Sequence, residues 1–497
     1  MSEITILVPI ERPTALENAN PQSISLPGQD LWLNPVTNVH IIPAKLDLDR
    51  FKVAVARTAA RYPPVAGRLI REGDTWRIDL VNAPIPVIVA SGANLKTSVD
   101  PASPTFPFPN DWIIQEQSDV RPYISLPENK FFLRGEGTEP LVIIKLTQWE
   151  TKTAIGVTWQ HTLGDAKTML DFTLTLSTLY ENLDAEEDRL PLAPSFYRHA
   201  FPYPFSPPCT SLSEGYLWRM PHLAQDYPAA TLMQVYAKGE ESTEVVRLRF
   251  TAASMERMLK DLGDVDPDDK GLKLNVHNAF SAYLVSVLNH SLEKPARRIV
   301  NIVSYRAPPK FLKNDTPFAP FAHPAGLSNS MLAMISDPMP DADLRNPLSI
   351  AKHIRRHIKL ARDPEFLEKF FTLGGFFMAK SANAGKDGRY HCFQLDEGDL
   401  TLNSNYGFNF NDAHFGFPGK TRLHTAWTTT NYFRIFTANP PSGEDVSVAH
   451  DADVTFKILS ASKGKFLSIV KKDHGDVIMD FEGKADAESQ ERSRLYH

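Results

Sequence analysis

TAIGVTWQHTLGDAKTMLDFTLTLSTLYENL, residues 153–183, decides the fold. Residues 153–160 are β-branched and apolar, and the preceding run LVIIKLTQW (141–149) is of the same kind. Glu150 to Lys152 form a polar turn between them, so the pair reads as two strands. The pattern then changes period. Met169, Phe172, Leu176, Leu179 and Leu183 fall on one face of a helix running from about Asp165 to Leu183. A strong strand therefore hands over to a helix through the five residues HTLGD.

The same alternation of β and α patterns extends in both directions. VHIIPA (39–44) reads as a short strand, and residues 47–62 as a helix that Asp47 or Asp49 can cap. TWRIDLV (75–81) and PVIVA (86–90) read as strands. From about residue 184 to 240 the chain is rich in proline and poor in periodic apolar residues, which reads as a crossover. Beyond it, VVRLRF (245–250) and RRIVNIVSYR (297–306) are strands, and 252–262, 275–290 and 348–362 are helices. LHTAWTT, YFRIFTA and VTFKIL are later strands. The expectation is an α/β chain of two lobes. Residues 1–195 form the first, 196–242 a Pro-rich linker and 243–497 the second.

The 497 residues contain 53 Lys and Arg against 59 Asp and Glu, a net charge of −6, which gives no electrostatic case for binding nucleic acid. The apolar fraction of 42% excludes a disordered or fibrous chain. Two cysteines, Cys209 and Cys392, exclude a disulfide scaffold and a Cys-rich zinc site and fit a reducing compartment. The N-terminus carries Glu3 and only a short apolar run, which is not the pattern of a secretory leader. No window reaches the length of an apolar span. ERSRLYH at the C-terminus matches no retention or lipidation signal. The expected compartment is the cytoplasm.

HTLGD is the sharpest chemical feature. His161 stands just past the strand, where a side chain projects from a rigid element, and its ordinary pKa suits general base work. Asp165, one helical turn on, can orient the ring, cap the helix or pair with a cation. Spacing alone is weak, because HLAQD repeats it at His222 and Asp226 inside the Pro-rich segment. A satisfied histidine at a strand end is the plain alternative for His161. No metal is expected: there is no HExxH, and His353 and His357 lie among Lys352, Arg355, Arg356 and Lys359, which repel a dication. There is no G-x-S-x-G, G-x-G-x-x-G or Walker loop either.

Five segments in this order resemble the BAHD acyl-CoA-dependent acyltransferase family, and within it the fungal, trichothecene acetyltransferase-like branch. LPGQD (26–30), PPVAGRL (63–69), HTLGD (161–165), the strand ending in Tyr305–Arg306 before APP, and HFGFPGK (414–420) correspond to the family's segments, with LSNSM (327–331) resembling its "GN" turn. The departures are Gln160 for a second His, Ala166 for Gly, and His414, Phe417 and Pro418 in the DFGWG segment. The resemblance implies two chloramphenicol-acetyltransferase-like lobes of similar size, each a mixed sheet with flanking helices, with an active-site channel between them. It implies that His161 takes a proton from a hydroxyl or amine of a small hydrophobic acceptor, which attacks the thioester of acyl-CoA. Acyl-CoA is then a co-substrate, with no permanently bound cofactor, and the chain a monomer.

By the same resemblance Asp165 pairs with Arg306 in a structural role, and Gly416 belongs to a segment that supports the site. Lys273, Lys310, Ser328 and Asn329 are candidate CoA contacts. The basic helix carrying Arg355, Arg356 and Lys359 reads either as a further contact or as a solvated face. Ser404, Asn405 and Tyr406 are candidate oxyanion or acceptor contacts, or ordinary turn residues. The segment 370–411, rich in Gly, Phe and Asn, reads as a lid or pocket wall or as a loop packed on the core. Two alternatives keep the fold and change the function: a non-catalytic binding relative, and a condensation-type domain that works with a carrier protein.

Overall fold

The computed structural model describes residues 3–10, 22–33, 35–92, 121–126, 135–198, 214–220, 223, 226–263, 272–306, 323, 325–391, 398–425, 430–439 and 451–475. Lys310, Cys209, Cys392, His222 and the C-terminal ERSRLYH lie outside these residues.

Two mixed sheets of six strands dominate. The first has the order Glu3–Val8, Ile85–Ser91, Val142–Gln148, Thr153–Gln160, Pro35–Ile42, Arg422–Thr425. The second has the order Thr243–Phe250, Ala452–Leu459, Tyr432–Thr437, Asp399–Ser404, Arg298–Ser304, Met331–Ile335. The partition at residue 243 is crossed by backbone pairing, because Arg422–Thr425 pairs antiparallel with Pro35–Ile42 of the first sheet and Ser195 bridges Gly326. A three-stranded sheet, Ser23–Ser25 with Thr75–Asp79 and Arg68–Glu72, flanks the first lobe.

Each sheet buries a face under helices. In the first lobe, Leu48–Arg61 is capped by Asp47, whose side chain accepts from the Arg50 amide, and turns Phe51, Ala54, Val55 and Ala59 inward. The helix Ala166–Glu181 lays Met169, Phe172, Leu176 and Leu179 into the same core, where Phe172 meets Trp159. The strand Thr153–Gln160 is buried along its whole length. Its second face is covered because Gly156 admits another segment: a Cβ there would lie 1.8 Å from the Tyr123 carbonyl oxygen. In the second lobe, Val276–Ser291, Pro347–Leu360 and Ser460–Asp473 cover Phe433, Phe456 and their neighbours.

Two elements depart from the sequence reading. The end of the Pro-rich segment is ordered structure: Asp226–Pro228 pairs with Arg389–His391, and Ala229–Glu241 is a helix. Prolines stop at Pro228, and AATLMQVYAKGEE is made mostly of helix formers. The segment 370–411 is helical up to Ala384, as part of the 21-residue helix Pro364–Ala384 capped by Asp363, and this part packs on the core. Phe366, Phe370, Phe371, Leu373 and Met378 form a third core with Met220, Val303 and Tyr305. Gly375 lies at a contact surface. A Cβ at Gly28 would lie 2.0 Å from the Gly375 carbonyl oxygen, so the loop of LPGQD rests directly on this helix.

That contact generates a prediction. Gly28→Ala pushes a methyl group into helix backbone and should destabilise the chain by about 1–3 kcal/mol in denaturant unfolding. Gly464→Ala, in an exposed helix position with open space around it, should instead raise the midpoint, by about 0.5–1 kcal/mol. Equal midpoints for Gly28→Ala and the parent would refute the close approach.

Candidate active site

His161 follows the last residue of its strand and begins a tight turn in which Leu163 N donates to Gln160 O at 2.9 Å. Gly164 holds φ 154°, where a Cβ would meet the Thr168 side chain, and its carbonyl accepts from Trp159 Nε1 at 2.9 Å. Asp165 then caps the helix, accepting from Lys167 N at 3.1 Å and Thr168 N at 3.3 Å. The local sequence thus fixes where the ring begins.

Its orientation comes from the other lobe. Asn329 Oδ1 lies 2.8 Å from His161 Nδ1, and Asn329 Nδ2 lies 2.7 Å from the His161 carbonyl oxygen. A carbonyl oxygen can only accept, so the amide nitrogen must face it. The amide oxygen must then face Nδ1, so Nδ1 carries the proton and donates. Nε2 is left with its lone pair. Trp32 lies over the ring, with centroids 5.6 Å apart and planes 30° apart. The histidine is half-buried. Burial, outweighing Asp165, its own carbonyl, Asn329 and Asp30, lowers its pKa below the ordinary 6.5.

Two carboxylates hold the turn that carries Asn329. Asp165 accepts the Ser330 amide at 3.1 Å and pairs with Arg306 Nη1. Asp30 accepts the Asn329 amide at 2.7 Å and pairs with Arg198 Nη1 at 2.9 Å. Both pairs are buried, with side-chain exposures of 7% and 6% for Asp165 and Arg306, and 1% and 2% for Asp30 and Arg198. Arg306 Nη2 also donates to Thr168 Oγ1 and Gly326 O, both at 3.0 Å, and to Ser328 O at 2.6 Å. Arg198 donates to Thr162 O at 2.9 Å and Leu163 O at 3.1 Å, the two residues after the histidine. Tyr305 hydroxyl donates to Asn329 O at 3.1 Å.

His161, Asp165, Arg306, Ser328 and Asn329 therefore meet in one place. Asn329, read from the sequence as a CoA contact, bonds the histidine itself. Ser328 is buried and engaged through its carbonyl with Arg306. Gly416 lies elsewhere. Its segment packs on the C-terminal turn of the helix that Asp165 starts, with His414 Nδ1 at 3.0 Å from Glu181 Oε1 and Phe415 N donating to Ser177 Oγ at 2.7 Å. That helix has 16 residues, about 24 Å of rise, so the segment braces the far end. The Glu181 hydrogen bond raises the His414 pKa.

Ser404 ends the strand Asp399–Ser404, which runs parallel to Arg298–Ser304 in the register Asn301↔Leu402, and Asn405 and Tyr406 follow it. They therefore reach the edge of the second sheet from which Arg306 crosses to Asp165. Ser404 Oγ lies 3.5 Å from Nδ1 of His277, a histidine whose pKa burial and Arg362 lower to about 4. Asn405 N donates to Ile435 O at 2.7 Å and Tyr406 O accepts from Thr437 at 3.1 Å. Lys273 is exposed, two residues before the cap of Val276–Ser291. Among the described residues no group of three or more His, Cys, Asp or Glu side chains can hold a metal ion, and no helix is long and apolar enough to cross a membrane.

Asp30, Arg198, Trp32 and Tyr305 carry contacts that sequence reasoning assigned to none of them. Asp30 had a signal, its place in LPGQD. Arg198 had none, being one cation in a proline-rich stretch.

No protein-family model matches the chain, and no curated protein matches it in sequence. Solved structures do share the fold. F. graminearum TRI101 complexed with ethyl coenzyme A is 14% identical with a TM-score of 0.59, covering 92% of this chain and 99% of that one. The same enzyme complexed with coenzyme A and T-2 mycotoxin gives 14% identity, a TM-score of 0.60 and the same coverage. Vinorine synthase is 15% identical with a TM-score of 0.58, covering 94% of this chain and 98% of that one. The chain thus has the two-lobed α/β fold of BAHD acyltransferase structures.

Asp165→Asn should leave the buried Arg306 guanidinium without its carboxylate and cost about 3–5 kcal/mol of stability. Arg306→Lys should also be costly, since an ammonium cannot replace a planar fork shared among a carboxylate, a hydroxyl and two carbonyls. Denaturant midpoints equal to the parent in both variants would contradict the cross-lobe pairing.

Proposed function

We propose that the chain transfers an acyl group from acyl-CoA to a hydroxyl, or an amine, of a small hydrophobic acceptor, with His161 as general base. The observation that carries this reading is the Asn329 amide, which spans Nδ1 and the carbonyl of His161 and leaves Nε2 free. The structural resemblance to TRI101 in complex with ethyl coenzyme A supports the choice of donor.

Nε2 takes the proton of the acceptor O–H as its oxygen attacks the thioester carbon. The carbonyl oxygen becomes an oxyanion, the C–S bond breaks, and the imidazolium returns the proton to the departing CoA thiolate. A positioned base contributes roughly 10²–10⁴ in rate. The lowered pKa suits this role, since the ring is neutral near pH 7 before the proton arrives. Asp165 and Arg306 position the ring by gripping the opposing turn. They do not touch the reacting atoms.

Ser404, Asn405 and Tyr406 are the proposed groups facing the oxyanion or the acceptor, on the sheet edge beside Arg306. The donor phosphates would enter past Lys273 and Arg362, whose Nε donates to Ser304 O at 3.2 Å on the same edge. Lys310, outside the described residues, belongs to the same proposal by resemblance. So do the lobe boundaries at residues 195 and 243, a monomeric state, a cytoplasmic setting and a place in fungal secondary metabolism.

The test is thiol release, followed with a chromogenic disulfide reagent, from acetyl-CoA and a panel of alcohols and amines. Parent protein should release thiol, and His161→Ala should bind CoA as before with release reduced by roughly 10²–10⁴. Binding without release by the parent would make the chain a non-catalytic relative, and unreduced release by His161→Ala would remove the base.

A further inference from the structure

His161 is flanked by two buried acid–arginine pairs, and only Asp165–Arg306 was expected. The second, Asp30–Arg198, touches the site at two points. Asp30 receives the backbone amide of Asn329, the residue that bonds the ring. Arg198 donates to the carbonyls of Thr162 and Leu163, the backbone that follows the ring. One salt bridge of 2.9 Å thus ties the two sides of the His161–Asn329 contact to each other. The loop bearing Asp30 is itself seated on the helix Pro364–Ala384 through Gly28. It also supplies Trp32, which lies over the imidazole.

We propose that Asp30 and Arg198 are positioning residues for His161: they hold the Asn329 amide against the ring and so keep the proton on Nδ1. The inference rests on the reading of His161 as the base, and it goes beyond that reading by naming what sets the tautomer. Asp30 must serve two donors, the Asn329 amide and the Arg198 guanidinium, and its two carboxylate oxygens do so. An Asn at 30 has one acceptor for them and directs a donor at the other. With the pair removed, Asn329 and the Thr162–Leu163 backbone lose their common anchor, and the neutral ring is free to exchange its proton between nitrogens.

The experiment uses the full chain with ¹⁵N-labelled histidine imidazoles, His161 being assigned by its loss in His161→Gln. Parent protein should show a protonated Nδ1 and a bare Nε2. Asp30→Asn should show averaged ring signals. A second variant, Asp30→Leu with Arg198→Met, removes both charges together, a change that buried ion pairs often tolerate without loss of stability. It should show the same averaging with an unchanged melting temperature. In thiol release, both variants should lose about 10²-fold in kcat, the effect of a displaced catalytic group, with the acyl-CoA KM unchanged.

The parent ring signature in a folded double variant would overturn the proposal, because a merely structural pair leaves the tautomer alone. The nuclear resonance reads the ring whether or not the parent releases thiol. Failure of the acyl-transfer reading is therefore seen separately, as absence of release by the parent.

Discussion

A peptide carbonyl has no proton to give. That elementary fact, applied to the carbonyl of His161, sets the orientation of the Asn329 amide and, through it, the protonation of the imidazole. The ring sits on one lobe and the amide on the other. Every long-range polar contact around them serves to keep those two surfaces in register, and the functional reading depends on that register holding.

Buried charge is an expensive way to achieve this. Taking a carboxylate and a guanidinium out of water costs several kcal/mol per ion, and apolar replacements of a pair are often no less stable. Two such pairs beside one histidine are hard to explain as stabilisation. As geometry they make sense. Each carboxylate takes one of two consecutive amides, Asn329 and Ser330, and each arginine also donates to carbonyls of the neighbouring loops. The turn 328–330 is thereby fixed from both sides, and its Asn329 side chain engages Nδ1 rather than Nε2.

What the sequence revealed, and what it hid, follows from distance along the chain. The strand Thr153–Gln160, the cap at Asp165 and the inward face of Ala166–Glu181 are local, and period and capping chemistry describe them. The pairing of Arg306 with Asp165 was reached through family resemblance, since nothing in spacing links residues 141 apart. Asp30 and Asn329 are separated by 299 positions, and only packing brings them together. The helix Pro364–Ala384 was misread for a related reason. Gly374–Gly375 weakens a helix locally, and the packing of this helix against Gly28 is invisible without the fold. The segment at His414, which by resemblance supports the site, packs on the C-terminal turn of Ala166–Glu181.

The most direct measurement is the pH dependence of kcat/KM for thiol release, which reports the base in the free protein. A ring kept neutral by burial, with its proton held on Nδ1, predicts a half-maximal rate below pH 6.5, the ordinary histidine value. A half-maximal rate above pH 7 would contradict it, showing either a different base or an imidazole not held as described.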